Sequence, residues 1–182
     1  HSTDGKTSLG EAILWKAGAI AALGNVTAGT AALTTLPEEK ERQGASVSTA
    51  VYAFDWQGRH LTLVDTPGDP NFQSDGQIAL QALDAAVLVV SAVDGAKVGT
   101  ERMWNSARRL GLPMLAFVNG MDRERADFET AVASLAKMDA KPVVLSIPLG
   151  SGASFAGVID VLAMQVLRDG GARVELAGHE PG

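Results

Sequence analysis

The sequence of 182 residues contains no cysteine and only three histidines. Disulfide bonds and thiolate metal sites are therefore excluded, and histidines so widely dispersed do not predict a zinc site. Aromatic residues make up only 5% of the chain, and basic residues are outnumbered by acidic ones, giving a net charge of −6. This charge argues against a basic surface that coats nucleic acid, so no DNA is expected as a partner, although a local RNA-binding patch is not excluded.

Long apolar runs are also missing from the sequence. The longest, Ala85 to Val90, is far too short to cross a bilayer, and no signal-peptide pattern comes before the first element. We therefore expect a cytoplasmic protein without membrane contact, and a monomer. Apolar residues nevertheless make up 46% of the chain. That is enough for the core of one domain, or of one domain and a piece of another.

Short apolar runs alternate along the chain with segments of helical periodicity. Val47 to Phe54 and Leu61 to Val64 flank a polar turn and predict an antiparallel hairpin. Ala85 to Val90 and Met114 to Val118 are continuously apolar, as in strands covered on both faces, and Val143 to Ile147 predicts a further strand. This alternation predicts a mostly parallel sheet with helices on both faces. The predicted helices are Lys6 to Ala17, Ser74 to Leu83, Gly99 to Leu110 and Arg125 to Met138.

The start of the chain carries the end of a phosphate-binding motif. Gly5-Lys6-Thr7 matches the close of G-x-x-x-x-G-K-[ST], with His1 to Asp4 as the four variable positions. In such a loop, backbone N–H groups at a helix N-terminus bind phosphate oxygens, the lysine adds a positive charge and the threonine hydroxyl can bind Mg²⁺. Taken alone, the stretch is equally typical of a polar segment before a helix.

A second stretch, LTLVDTPGDPNF, places Asp65 at the carboxyl end of a predicted strand, where open α/β sheets bind ligands. A carboxylate there can hold Mg²⁺ through water, and Gly68 can bring its backbone N–H close to a phosphate. A simple Pro-Gly turn would also explain Thr66-Pro67-Gly68. The combination with Gly5-Lys6-Thr7 favours a nucleotide site.

A third stretch, FVNGMDR, follows another predicted strand and carries Asn119 and Asp122. Guanine presents an N1–H and a 2-amino group side by side, and one carboxylate can accept hydrogen bonds from both. Adenine lacks this pair of donors and would leave the carboxylate unpaired, which gives strong discrimination. A turn explains Asn119 and Gly120 but does not require Asp122.

Three such motifs in this order resemble a GTPase of the Ras-like P-loop class, which has an α/β fold. More narrowly, six stretches resemble the GTP-binding domain of translation elongation factor G, and the divergent elongation factor G-like branch in particular. They are HSTDGKTSL, PEEKERQGASV, VDTPGDPNF, LDAAVLVVSAVDGAKVGTERMW, LPMLAFVNGMDR and FAGVIDVLAMQVL. The resemblance implies a mostly parallel sheet with one antiparallel hairpin strand, and a first strand that is missing before His1.

The resemblance also implies a set of site residues. Mg²⁺ would be held by Thr7, Ser46 and Asp65, with Ser46 at the position of a switch threonine in the unpatterned loop Asn25 to Val47. Hydrolysis would involve Lys6, Gly68 and Asp69. Residues that contact GTP or GDP would be His1, Ser2, Thr3, Asp4, Gly5, Lys6, Thr7, Ser8, Asp65, Thr66, Pro67, Gly68, Asn119, Gly120, Met121 and Asp122.

The same resemblance divides the chain into two parts. Residues 1–149 would form a GTP-binding domain without its first strand, and residues 150–182 would begin an inserted subdomain. Gly150 to Ser154, with the sequence GSGAS, could instead be a Ser-Ala loop that contacts guanine. A connection into the inserted subdomain is the preferred interpretation, because short motifs often match by chance.

The implied function is a nucleotide-dependent switch that binds and hydrolyses GTP and acts with the ribosome. Asp69 stands where a histidine usually positions the attacking water, and Gly120 replaces a lysine whose stem lies along the guanine ring. These two departures favour the alternative of a guanine-nucleotide-binding module with little or no hydrolysis. A fragment that binds no nucleotide is the third hypothesis. Glu38, Glu39 and Glu41 are interpreted as the solvated face of a switch helix.

Overall fold

A computed structural model describes residues 3–41, 46–168 and 171–176 of the chain. The fold divides into two units. Unit 1 comprises His1–Val89 and Lys97–Phe117, and unit 2 comprises Val90–Ala96 and Val118–Gly182. Within the described residues, no helix combines the length and the apolar character that a membrane span requires.

The described part of unit 1 contains four α-helices, and its two longest helices end at glycines. After α1 and α4 the chain turns at Gly18 and Gly111, whose φ values are 73° and 68°. Glycine adopts this left-handed conformation without steric cost, so these residues suit the ends of their helices. The four helices are α1 (Lys6–Lys16), α2 (Pro37–Glu41), α3 (Gln73–Leu80) and α4 (Val98–Arg109).

A hairpin forms the first pair of strands in unit 1. Strands β1 (Ala50–Trp56) and β2 (Arg59–Asp65) are antiparallel, and Ala50 lies opposite Asp65. The turn residues between them, 57–58, both have positive φ, which matches the right-handed twist of the strands. The predicted hairpin is therefore confirmed. Its inner face packs on α1 in a core that is built around Leu14, Leu33 and Ala50.

The second pair of strands is parallel. Strand β3 (Ala86–Ser91) pairs with β4 (Met114–Asn119). The Ala86 N–H donates to Pro113 O at one end, and the Ala92 N–H donates to Asn119 O at the other. The partners rise together in number, so the strands run in the same direction. Helix α4 lies between β3 and β4 in the chain, which confirms the predicted strand–helix alternation of an α/β fold.

A groove of about 310 Å³ lies between β2 and β3 in unit 1. Its walls include residues 62–64 of β2 and 86–89 of β3, and Lys6 at the start of α1 also lines it. In the described part of the chain, β2 pairs only with β1 and β3 pairs only with β4. The groove therefore adjoins one edge of β2 and one edge of β3 that have no strand partner among the described residues. The predicted first strand stays a prediction.

Unit 2 contains helix α5 (Phe128–Ala136) and an antiparallel sheet. The prediction that α5 begins at Arg125 is wrong, because Arg125 has a φ of 65° and Asp127 caps the helix by accepting the Thr130 N–H. The helix also ends at Ala136, before the predicted Met138. In their order along the chain and in the sheet, the strands are β5 (Ser146–Pro148), β6 (Val158–Asp160), β7 (Gln165–Leu167) and β8 (Arg173–Glu175).

The predicted strand from Val143 to Ile147 is also displaced in the structure. Strand β5 begins only at Ser146, and Val143 is 81% exposed. The apolar character of this run indicated a buried strand, but it is the pairing of Ser146 with Asp160 that sets where the strand begins. Pairing partners lie far away in the sequence, so an apolar run does not fix the ends of a strand.

Candidate functional site

The phosphate-loop motif leads directly into α1 in unit 1. Gly5 precedes the helix with a φ of 88°, and among the described residues no side-chain hydrogen bond caps the first turn. A left-handed residue at this point lets the chain turn sharply into the helix. Backbone N–H groups at such a helix start are available to an external acceptor, and phosphate oxygens suit them.

Three residues predicted to hold Mg²⁺ lie together next to this helix start. The Thr7 Oγ1 donates a hydrogen bond to Asp65 Oδ2 at 2.6 Å, and lies 3.2 Å from Ser46 Oγ. Thr7 and Asp65 are buried. The three oxygens come from α1, β2 and the segment before β1, so the fold has brought together groups that are far apart in the sequence.

The chemistry of this oxygen cluster fits Mg²⁺, which prefers hard oxygen ligands and keeps several waters. The cluster contains a single carboxylate, and the described residues include no group of three or more acidic, histidine or cysteine side chains that could hold a metal. The protein alone therefore offers few ligands. A metal ion here would need phosphate oxygens and water to complete its coordination.

Burial favours the neutral forms of the carboxylate and the lysine at this site. It raises the pKa of Asp65, although the hydrogen bond from Thr7 and the charge of Lys6 oppose the shift. Burial also lowers the pKa of Lys6, against the attraction of Asp65 and Asp4. A bound phosphate would favour the charged lysine, and a bound cation would favour the charged carboxylate. The site is thus electrostatically suited to a ligand that carries both.

A second lysine reaches the phosphate loop. Lys97, immediately before α4, places its Nζ 3.5 Å from Oδ1 of the buried Asp4. The motif predicts a role for Asp4 in the loop, but nothing in the sequence predicts one for Lys97. The two residues are 93 positions apart, and no local pattern signals their pairing.

The interpretation of Glu39 as a solvated residue is wrong, although Glu38 is indeed exposed. Glu39 is 2% exposed, and its Oε2 accepts the N–H groups of residues 35–36 at 3.0 and 3.2 Å. Its Oε1 accepts those of residues 47–48 at 3.0 and 3.4 Å. A carboxylate can be buried when several donors satisfy it. Glu39 thereby fixes the segment that carries Ser46.

The residues after β2 form a tight turn. Pro67 is buried beside the half-buried Gly68, and Asp69 begins a 3-10 turn at Pro70–Phe72. The Asp69 Oδ1 accepts the Asn71 N–H at 2.9 Å, as in a helix cap. The carboxylate therefore has a local structural role, and its predicted part in hydrolysis stays a prediction.

The residues predicted to bind guanine lie in unit 2, with Asn119 as the last residue of β4 and Gly120, Met121 and Asp122 directly after it. Gly120 has a φ of 81°, and the Arg123 N–H closes the turn on Gly120 O at 3.1 Å. Met121 is buried in a core with Ala92 and Ala126, so its side chain is not available to a ligand. Asp122 is exposed at the tip of the turn and can accept hydrogen bonds from a ligand.

The GSGAS stretch forms the connection between β5 and β6. Its Gly152 N–H donates to Met121 O at 2.8 Å, so this hairpin tip contacts the predicted guanine loop within unit 2. No local pattern in the sequence predicts this contact. Among the other predicted residues, His1 and Ser2 lie outside the described residues, as does the switch segment 42–45.

Comparisons with known proteins agree with these features. The family model described as elongation factor Tu GTP binding domain matches residues 1–167. Elongation factor G 1 of Geobacter sulfurreducens is 37% identical over 168 residues, which are 92% of this chain and 24% of that protein. Elongation factor G 2 of Geobacter metallireducens is 37% identical over 180 residues, covering 96% of this chain and 26% of that protein.

A solved structure is also similar to this chain. A crystal structure of a Thermus thermophilus protein matches 97% of the chain with a TM-score of 0.88 and 35% sequence identity. The match covers 27% of that protein. The chain thus spans about a quarter of the length of the relatives that it matches.

Proposed function

Because the chain belongs to the family of elongation factor Tu GTP binding domains, we propose that it binds GTP and GDP and serves as the nucleotide switch of a translation factor of the elongation factor G type. The observation that carries the proposal is the hydrogen-bonded cluster of Thr7, Ser46 and Asp65 at the start of α1. The ribosome as partner and a cytoplasmic location are proposed from the same family membership.

In this proposal the phosphates bind to the N-terminus of α1 and to Lys6. Thr7, Ser46 and Asp65 hold Mg²⁺, which offsets the negative charge of the phosphates when it is bound. Asp122 accepts the N1–H and the 2-amino group of guanine. Glu39 supports the site indirectly, because it holds the backbone on both sides of α2 and next to Ser46.

We propose that the chain also hydrolyses GTP, and that it does so slowly on its own. Hydrolysis needs positive, preorganised groups around the transferred phosphoryl group and an oriented water. Lys6 supplies charge directly, whereas the charge of Lys97 is paired with Asp4 at the loop. Asp69 adds a negative charge instead of a histidine, and its Oδ1 is engaged by Asn71. These contacts support tight nucleotide binding more than rapid turnover.

Calorimetric titration of the 182-residue chain with GDP tests this proposal. We expect binding that requires Mg²⁺ and that is not reproduced by ADP. Thr7→Ala removes a hydroxyl from the cluster and should weaken Mg²⁺-dependent GDP binding by about 10-fold to 100-fold, the equivalent of one charge-assisted hydrogen bond. Thr62→Ala, at an exposed position of β2, is the matched control. Equal affinity for GDP and ADP would contradict the proposal.

GTP turnover separates the switch from a module that only binds. We expect slow release of phosphate that ribosomes accelerate, and no release by Lys6→Ala. If the unsubstituted chain binds GDP tightly but turns over GTP no faster than Lys6→Ala, with or without ribosomes, the protein is a guanine-nucleotide-binding module.

A further inference from the structure

The side chain of Arg123 occupies the space beside Gly120 in the turn after β4. A Cβ atom built on Gly120 would lie 3.0 Å from Arg123 Cδ, 3.2 Å from Nε and 3.5 Å from Cγ. A side chain at position 120 and the stem of Arg123 therefore compete for one volume. With a φ of 81°, the backbone at position 120 also favours glycine.

The guanidinium group of Arg123 is available for a ligand. Arg123 is exposed, its backbone N–H donates to Gly120 O and its backbone O accepts the Ala126 N–H, while its stem packs beside Gly120. No ion pair engages its guanidinium among the described residues. Asp122, the residue proposed to accept from guanine, immediately precedes it in the same turn.

We propose that Arg123 is a positioning residue for the purine base, with its stem and planar guanidinium lying along one face of the ring. The inference rests on the proposed binding of guanine nucleotides and deepens it. A guanidinium plane stacks on an aromatic face more effectively than an ammonium group, and each base offers such a face. The absence of a side chain at Gly120 then creates room for Arg123 and is not a loss of base contact.

Substitutions of Arg123 and of Gly120 test whether Arg123 lies along the base in place of a side chain at position 120. Arg123→Ala should weaken GDP binding by about 5-fold to 10-fold, the size of one stacked cation. Arg123→Met keeps an unbranched stem without charge and should give an intermediate affinity. Gly120→Lys should bring no gain while Arg123 is present, because the stem of Arg123 already lies beside position 120. In the Arg123→Ala background, the same Gly120→Lys substitution should recover part of the lost affinity, since the φ of 81° at position 120 still disfavours a side chain.

Two controls separate base contact from a structural role of Arg123. Inorganic pyrophosphate with Mg²⁺ lacks a base, so its affinity should be unchanged in Arg123→Ala, whereas a damaged fold would weaken it as well. Arg125→Ala removes the same charge from an exposed position two residues away and should change GDP affinity less than about twofold. Thermal unfolding of each variant confirms that it is folded.

The outcomes distinguish this inference from the proposed function. If the unsubstituted chain binds GDP and Arg123→Ala binds it equally well, the role of Arg123 is wrong and guanine binding stands. A parallel loss of GDP and pyrophosphate affinity would equally overturn the base contact. If the unsubstituted chain binds pyrophosphate but prefers no base, both the guanine site and the role of Arg123 are wrong.

Discussion

At the scale of single residues, the carboxylate of Glu39 holds two distant pieces of backbone. Its two oxygens accept four N–H groups, two from residues 35–36 and two from residues 47–48. Each oxygen therefore holds one of these two pieces of backbone. Because the carboxylate is buried, water cannot replace a lost acceptor, and the positions of both pieces depend on both oxygens.

Glu39→Gln tests this dependence. Glutamine keeps one acceptor oxygen and presents an NH₂ donor to the N–H groups that the other oxygen served. We expect a loss of about 3 kcal/mol in the free energy of unfolding, since hydrogen bonds to charged groups contribute about 1.5–3 kcal/mol each. Urea denaturation measures this difference. Glu38→Gln makes the same chemical change at an exposed position of α2 and should cost less than about 0.5 kcal/mol.

A result for Glu39→Gln that equals the Glu38→Gln control would show that the two hydrogen bonds accepted by the replaced oxygen contribute nothing to stability. A large loss of Mg²⁺-dependent GDP affinity with only a small loss of stability would instead place the role of Glu39 in ordering Ser46.

The proximity of two residues was predictable where short motifs fix their places in the fold. Thr7 and Asp65 were expected to lie together although they are 58 positions apart, because carboxyl ends of parallel strands gather at one edge of a sheet, and their roles stay predictions. Glu39 and Lys97 were missed, because their partners are selected by the tertiary fold and leave no local spacing. Glu39 lies in a run of alternating charges, which is typical of solvated helices.

At the scale of elements, α5 shows what a single cap contributes. The Asp127 carboxylate accepts the Thr130 N–H at 2.9 Å, and this hydrogen bond lowers the pKa of Asp127 below its ordinary value of 3.8. The charged form is thus favoured in the folded state. Its contribution to stability is fully present above pH 3.8 and is lost as the pH falls through the lowered pKa.

Asp127→Asn separates the cap from its charge. Asparagine also caps helices, so the variant should retain α5 at neutral pH. It cannot titrate, so the fall in Tm on acidification should be smaller for Asp127→Asn than for the unsubstituted chain. Thermal unfolding between neutral pH and about pH 2 measures the difference. The exposed Glu124 supplies a control as Glu124→Gln, and identical pH profiles for all three proteins would contradict the account.

Element types were predicted better than element ends. The strands that became β3 and β4 were identified from continuous apolar runs, whose length suits strands and not helices. The start of α5 was missed by three residues, because Arg125 adopts a left-handed conformation that its residue type does not suggest. The start of β5 was missed because it is set by pairing with β6, and the hydrophobicity of a local run gives no information about a partner strand.

At the scale of the whole molecule, the family was the most predictable property, and the matches to elongation factor G proteins over at least nine-tenths of the chain confirm that resemblance. The division of the described residues into several small sheets was less predictable. In the described part of the chain, β2 and β3 each have one paired edge. The apolar groove of about 310 Å³ between these two strands adjoins the start of α1. Open strand edges beside an apolar groove accept a further strand.

We therefore expect an apolar strand joined to His1 to stabilise the chain by filling this groove. Lys6 lines the groove, so a segment that ends at His1 is only a few residues from it. An extension of seven alternating valine and threonine residues, the length of β2, should raise Tm by about 5 °C or more, since 1 kcal/mol raises the Tm of a chain of this size by about 2–4 °C. Binding of a dye that reports exposed apolar surface should fall in parallel.

A Gly-Ser extension of equal length is the control for this experiment, because it adds chain without apolar side chains or strand propensity. It should leave Tm and dye binding unchanged. If both extensions act alike, the groove does not accept a strand. If the apolar extension instead raises dye binding and lowers Tm, it remains exposed, and the edges of β2 and β3 are not the place for the expected first strand.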